Sequence, residues 1–227
     1  MSLRLPSLQT CSRALIALCL LAAAGLSSAA VTYLGSRGLV GTGGVVDWLA
    51  LGPEFTSVSN GSVVNPVTVS GSTGTFTVLS GSTFNGDFLA TETVLSLFDL
   101  GGGSGAGTFT IDFASGVFAA GAQVQANLFG AFSGLITAFD LANNMLGSFA
   151  VGGNNAGNGD GSASFAGIAS TAGDIRRLVF SGFGSDAAIN RVSYQTVGAS
   201  SVPVPGTAWL ACGALALLAA GRRARRA

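Results

Sequence analysis

The side chains that usually carry catalysis are scarce in this chain. It has no histidine and no lysine, and its three cysteines (Cys11, Cys19 and Cys212) lie near the two ends. Ser-His, Cys-His and Ser-Lys arrangements therefore cannot be assembled in the middle of the chain. What remains is ten carboxylates: Asp47, Glu54, Asp87, Glu92, Asp99, Asp112, Asp140, Asp160, Asp174 and Asp186. Two carboxylates suffice for glycoside hydrolysis, but no pair among the ten is marked out by its setting. Carboxylates at alternating or loop positions ordinarily solvate a surface. The inventory points away from an enzyme.

Three patterns suggest binding instead. The glycine run Gly101–Gly107 looks like a phosphate cradle, but that motif needs a lysine and a following helix, and Thr108–Phe113 alternates like a strand. It reads as a hairpin connection. In Gly152–Gly161, the oxygen donors Asn154, Asn158 and Asp160 sit on a glycine-rich turn, a composition suited to calcium outside the cell. Against an EF-hand, Ala156 occupies a ligand position and the distal glutamate is missing; Asn and Gly also make such turns with no metal. The third pattern is a polar strand face of Gln123, Gln125 and Asn127, with Trp48, Tyr33 and Tyr194 as aromatic platforms. Sugars are held by this pairing of stacking rings and amide groups. The opposing expectation places Trp48 in the core, where large aromatics commonly go. No cofactor is expected.

The elements that must position these residues are strands. Phe109, Ile111 and Phe113 alternate with Thr108, Thr110 and Asp112, and Phe76 and Val78 repeat the period of two. Ala122–Asn127, Leu135–Asp140, Leu146–Val151, Ser164–Ile168, Leu178–Phe180 and Ile189–Gln195 are further short candidates bounded by Gly, Asn, Asp or Ser. No stretch of the middle reads as an amphipathic helix. All 15 phenylalanines fall between residues 55 and 183, and phenylalanine, lacking a polar handle, is a core residue first. The expectation is an all-β domain over residues 31–200, a β-sandwich of jelly-roll kind, with a β-helix as the alternative. Of the adjacent Arg176 and Arg177, one is expected to face water and the other to pair with a carboxylate.

The ends differ in kind. Arg4 and Arg13 precede the apolar run Ala14–Leu26 and the small residues Ser27–Ala30. That is the pattern of a secretory signal over residues 1–30, with cleavage expected after Ala30. At the other end, Val202, Pro203, Val204, Pro205 and Gly206 lead into an apolar stretch over 207–221, then Arg222, Arg223, Arg225 and Arg226. Extended back to Gly206, the stretch gives 16 helical residues and reaches about 24 Å, short of about 30 Å of hydrocarbon. The terminal arginines orient it with its end in the cytoplasm. The formal charge of zero hides this division: residues 31–200 keep four arginines against ten carboxylates, a net of −6. An acidic, lysine-free body is repelled by phosphates, which excludes nucleic acid as a partner. Export without a cysteine in the body leaves stability to the core.

The tail over 202–227 resembles the PEP-CTERM sorting signal of Gram-negative, exopolysaccharide-producing bacteria. That signal combines a Val-Pro-Glu-Pro motif, a short hydrophobic helix and an arginine cluster, and is recognised by an exosortase. Val204 stands where the family has glutamate, as in related Val-Pro-Leu-Pro tails. The body also resembles exported proteins of this kind. Asp47-Trp48-Leu-Ala-Leu51-Gly52 is similar to their Asp-Trp-x-x-Leu-Gly opening, and an ordered series of short motifs runs on to Ala188-Ile-Asn190. The resemblance implies signal peptidase and an exosortase as partners during export, and a transient hold in the inner membrane. The destination it implies is the cell surface or the exopolysaccharide matrix. With no catalytic set in the body, the expected role is structural or adhesive, with an exopolysaccharide-binding module and a permanently anchored single-span protein as alternatives.

Overall fold

The computed structural model describes residues 30–72, 74–97, 107–183 and 187–196. All of them belong to the unit spanning Ala29–Gly198. The expected signal before Ala30, most of the glycine run Gly101–Gly107, and the motif, apolar stretch and arginines of 202–227 lie outside the described residues. Among those described, no helix is long and apolar enough to cross a membrane.

The first half of the unit contributes short strands: β1 (Val31–Leu34), β2 (Gly44–Val46), β3 (Ser57–Ser59), β4 (Ser62–Val64), β5 (Val67–Gly71), β6 (Thr75–Ser80) and β7 (Thr93–Ser96). The second half contributes β8 (Phe109–Ala126), β9 (Gly130–Phe139), β10 (Met145–Asn155), β11 (Phe165–Ser170), β12 (Ile175–Ser181), β13 (Ala187–Ile189) and β14 (Val192–Thr196). Every pairing between them is antiparallel. That excludes the stacked parallel coils of a β-helix and makes the fold a β-sandwich.

Strand β8 organises the whole. Its first residues pair with β5 on one side and β12 on the other. Its middle pairs with β14 and β11, and its last three residues reach the second sheet through β13. The second sheet continues β13-β7-β6-β3. A strand that serves both sheets makes the corner of the sandwich. The sequence pattern predicts two strands here, Thr108–Phe113 and Ala122–Asn127, where the structure has one. Gly116 and Gly121, between those two segments, mark close approach. A Cβ on Gly121 would lie 2.5 Å from the Ala166 carbonyl oxygen, and one on Gly116 2.5 Å from that of Gly173. Conversely, the single strand expected over Ile189–Gln195 is divided at Asn190-Arg191 into β13 and β14, which join different sheets.

The core lies between the sheets. Phe76 and Val78 of β6 and Leu95 of β7 meet Phe109 and Ile111 of β8, Ile136 of β9 and Leu178 and Phe180 of β12 in one buried cluster. The Phe76 and Phe109 rings stack at 5.7 Å between centroids. On β8, Phe109, Ile111 and Phe113 are buried while Thr110 and Asp112 are half-exposed, the alternation of a sheet wet on one face.

Candidate functional site

Trp48 sets the position of the polar groups. Asp47 caps a short 3-10 turn over Trp48–Leu51, its Oδ1 accepting from the Leu49 N–H at 3.0 Å. Gly52 leaves the turn at φ 139°, where a side chain would be strained and would also press on Thr56. The opening motif is thus a cap, an anchor and an exit. Trp48 is fully buried, and its indole Nε1–H donates to the Asn190 carbonyl at 2.9 Å. It offers no face to a ligand, which corrects the expectation of a platform: a ring at zero exposure with its only donor spent is a core residue.

Asn190, at the division between β13 and β14, is the centre of a buried polar knot. Its Oδ1 accepts from Arg37 Nη2 at 2.9 Å and from the Gln123 backbone N–H at 3.1 Å. Its Nδ2 donates to Gln123 Oε1 at 2.6 Å and Glu92 Oε1 at 3.2 Å. Leaving two sheets at once strands backbone and amide groups in the interior, and this knot satisfies them. Gln123 is used up within it, since its Nε2 donates to the carbonyls of Gly161 and Ala163 at 2.8 and 2.9 Å. Arg37 stands on the rim. Its Nη1 donates to Ser193 Oγ at 2.6 Å and to the Arg191 carbonyl at 3.2 Å, and its guanidinium lies 5.6 Å over the Phe165 ring. Burial, and then the charge of Arg191, lower the Arg37 pKa, while Glu92 works in the opposite direction.

A second knot holds the asparagine-rich loop. Asp87 is buried, and its carboxylate accepts the backbone N–H groups of Ala156 at 2.9 Å and Asn158 at 2.8 Å, and Gln125 Nε2 at 2.7 Å. Gln125 Oε1 returns a bond by accepting from the Asp87 N–H at 2.7 Å. Gln125 is therefore buried and committed, and the expectation that it shares an open ligand face with Gln123 and Asn127 is overturned. Asn127 is half-buried just beyond the end of β8. The aromatic partners are also engaged. Tyr33 donates its hydroxyl to the Phe165 carbonyl at 3.1 Å, with burial raising its pKa. Tyr194 packs against Phe113 at 6.0 Å.

The loop itself does not gather as a cation site would. Calcium is held by converging carbonyl and carboxylate oxygens. Here it is backbone N–H groups that converge, on a protein anion. Asn154, Asn158 and Asp160 are exposed, and Asp160 Oδ1 accepts from the Ser162 N–H at 3.0 Å in a local turn. Bonds from Ser162 hold its carboxyl below the ordinary value. Among the described residues there is no group of three or more Asp, Glu, Cys or His that could hold a metal.

Asp87 was one of ten unmarked carboxylates in the sequence. Its signal was its setting: it follows Asn85-Gly86 and sits between Phe84 and Phe88, a poor place for a solvated acid. Arg177 pairs with Asp112 at 2.7 Å and reaches Asn143, as expected of one member of the arginine pair. Arg176, at the β12 bulge, is half-buried, and its Nε has no hydrogen-bond partner among the described residues.

One open feature adjoins the first knot. A cleft of about 370 Å³ is lined by Ser36, Arg37, Gln123, Ser162, Ser164 and Phe165, with glycine and alanine between them. Its polar lining is three hydroxyls, the Gln123 amide and the Arg37 guanidinium, the last two already bonded inward.

No protein-family model matches the chain, and no curated protein does. Among solved structures, the chain is similar to CsCBM6-3 from Clostridium stercorarium in complex with cellobiose. The TM-score is 0.34 at 14% identity, over 63% of this chain and 94% of that one. It is also similar to a CBM29-2 carbohydrate-binding module variant complexed with mannohexaose, with a TM-score of 0.33 at 13% identity, over 74% and 94%. A third is the enzymatically active domain of a bacteriophage CBA120 tailspike protein, with a TM-score of 0.27 at 20% identity, over 63% and 22%.

Proposed function

We propose that this chain is an exported, non-catalytic β-sandwich protein that serves a structural or adhesive role at the cell envelope or in the extracellular matrix. The observation that supports the structural reading is the fate of its polar groups. Gln123, Gln125, Asp87 and Asn190, which could have served a ligand, are spent on bonds within the fold. The address rests on sequence: a signal-like start over 1–30 and the three-part tail over 202–227. In this reading signal peptidase removes the first segment. An exosortase-type enzyme then acts near Val202–Gly206, and the arginines never leave the cytoplasmic side. The intact mass of the protein recovered from the producing cell tests it. The expected species starts at Val31 and lacks Arg222–Ala227; a species retaining those residues marks a permanently anchored protein instead.

A second reading is favoured by the cleft beside Arg37. Its volume falls within the range of small-ligand sites, and hydroxyls beside an aromatic edge suit a neutral saccharide. Cellobiose, mannohexaose and the producer's own exopolysaccharide are the probes, since the first two occupy the solved structures named above. Ser162 is exposed on the rim, so Ser162→Trp should abolish binding without touching the core. No calorimetric signal with any of the three ends this reading.

A further inference from the structure

Five strands of the described unit pair on one side only: β1, β2, β3, β4 and β10. Four of them are three or four residues long. Shortness is a standard way of blunting an edge, because few backbone groups are left to template another strand. β10 is the exception, with 11 residues from Met145 to Asn155. Among the described residues its outer edge has no strand partner, and the segment Met-Leu-Gly-Ser-Phe-Ala-Val-Gly-Gly-Asn-Asn contains no charge and no proline. The usual guards of a long edge are therefore missing, and its one irregularity lies at the extreme end, between Met145 and Gly147.

We propose that β10 is a self-association edge, on which β10 of a second copy of this chain pairs antiparallel to join two sandwiches through one continuous sheet. The sequence of the strand is compatible with its own reverse. With the two-fold axis at Ala150, Phe149 of one copy stands opposite Val151 of the other, on the face that already packs inward. An aromatic beside a β-branched residue is a favourable cross-strand pair. Ser148 meets Gly152 on the outer face, and Gly147 meets Gly153. Nothing charged is brought together, although the body as a whole carries a net of −6. A symmetric pair of like edges also closes without forming a filament. The inference is independent of the export reading.

The test is the mass of the full chain in dilute detergent micelles, by sedimentation, for the native sequence, Ala150→Lys and Val63→Lys. Ala150 is exposed at the centre of β10, and Val63 is exposed on the short edge strand β4. Lysine lowers the general repulsion between acidic bodies, so a loss of association cannot be assigned to net charge. The expected result is a two-copy particle, retained by Val63→Lys and weakened at least about tenfold by Ala150→Lys, as paired like charges would do. A native chain that is monomeric at micromolar concentration overturns the proposal. So does association that survives Ala150→Lys, or that both variants lose, since the contact then lies elsewhere. Amide exchange on the native chain guards against a misfolded variant. Protection of residues 147–153 must rise with concentration, and protection independent of concentration also overturns it.

Discussion

The two buried knots solve different problems with the same means. The Asp87 knot is an anion answering backbone amides: a single carboxylate organises Ala156 and Asn158 of one loop and takes a third bond from Gln125. The Asn190 knot is a crossing point. Its neutral side-chain amide ties together residues 37, 92 and 123, and its backbone carbonyl takes the bond from residue 48, all from segments far apart in the chain. A buried charge can hold a loop because several N–H dipoles replace its water. A sheet crossing needs donors and acceptors in balance, and an asparagine side chain supplies both. The first knot decorates the sandwich; the second is a condition of its topology.

Asn190→Ala should therefore be the more damaging change. It leaves the half-buried Arg37, Gln123 and Glu92 each short of a partner and should cost about 3 kcal/mol, read as a lowered midpoint in denaturant. Asp87→Asn is nearly isosteric, yet it turns a donor towards amides that need an acceptor. A cost of about 2 kcal/mol is expected, with amide exchange speeding up at Ala156 and Asn158 and little change at Asn190. If Asp87→Asn loosens the whole domain uniformly, the contrast between a local and a global knot fails. Trp48→Phe keeps most of the packing and removes only the bond to the Asn190 carbonyl, so about 1–2 kcal/mol is expected in the midpoint. A larger loss than Asn190→Ala would make the indole, not the amide, the centre of the crossing.

The smallest effect is a matter of pH. Glu54 and Asp160 are exposed and Asp140 half-exposed; their carboxyls are held below their ordinary values by hydrogen bonds, from Thr83 and Ser80, from Ser162 and from Asn144 respectively. A carboxyl whose pKa is depressed on folding contributes stability that is full above its unfolded value and is lost as pH falls through the folded one. The melting temperature should therefore decline slightly as pH drops below about 4.5. Asp160→Asn should flatten part of that decline while leaving exchange at Ala156 unchanged, because Asp160 caps only its own turn.

How far these features could be read from residues alone follows from their range. The alternation of Phe109, Ile111 and Phe113, or of Phe76 and Val78, is a local signal, and those strands stand where the period of two put them. The short strands of residues 31–71 were missed. Segments such as Gly44–Val46 or Ser57–Ser59 have too few residues to show a period, and only their partners β14 and β6 make them strands. The strand expected over Ala122–Asn127 begins after Gly121, whereas β8 runs through it; glycine serves both a turn and a close approach, and only the neighbouring chain at Ala166 tells which. Gln125 faced where expected on β8, but whether that face was wet depended on Asp87, 38 residues earlier. Burial of a polar side chain is a property of what lies opposite it.

The central position of β8 has a consequence for how the protein comes into being. Its partners arrive from both directions, β5 before it and β11 to β14 after it, and the bond from Trp48 to Asn190 spans 142 residues. Contacts of such separation make for slow folding, because chain entropy is surrendered before the pairing rewards it. A nascent chain that has yielded everything up to residue 180 still lacks β13 and β14, and with them the link from β8 to the second sheet. The domain would then stay open until nearly the last of its residues is available, which suits the proposed export of this chain in an unfolded state. A length series should show protease resistance appearing in one step, only once residue 196 is included.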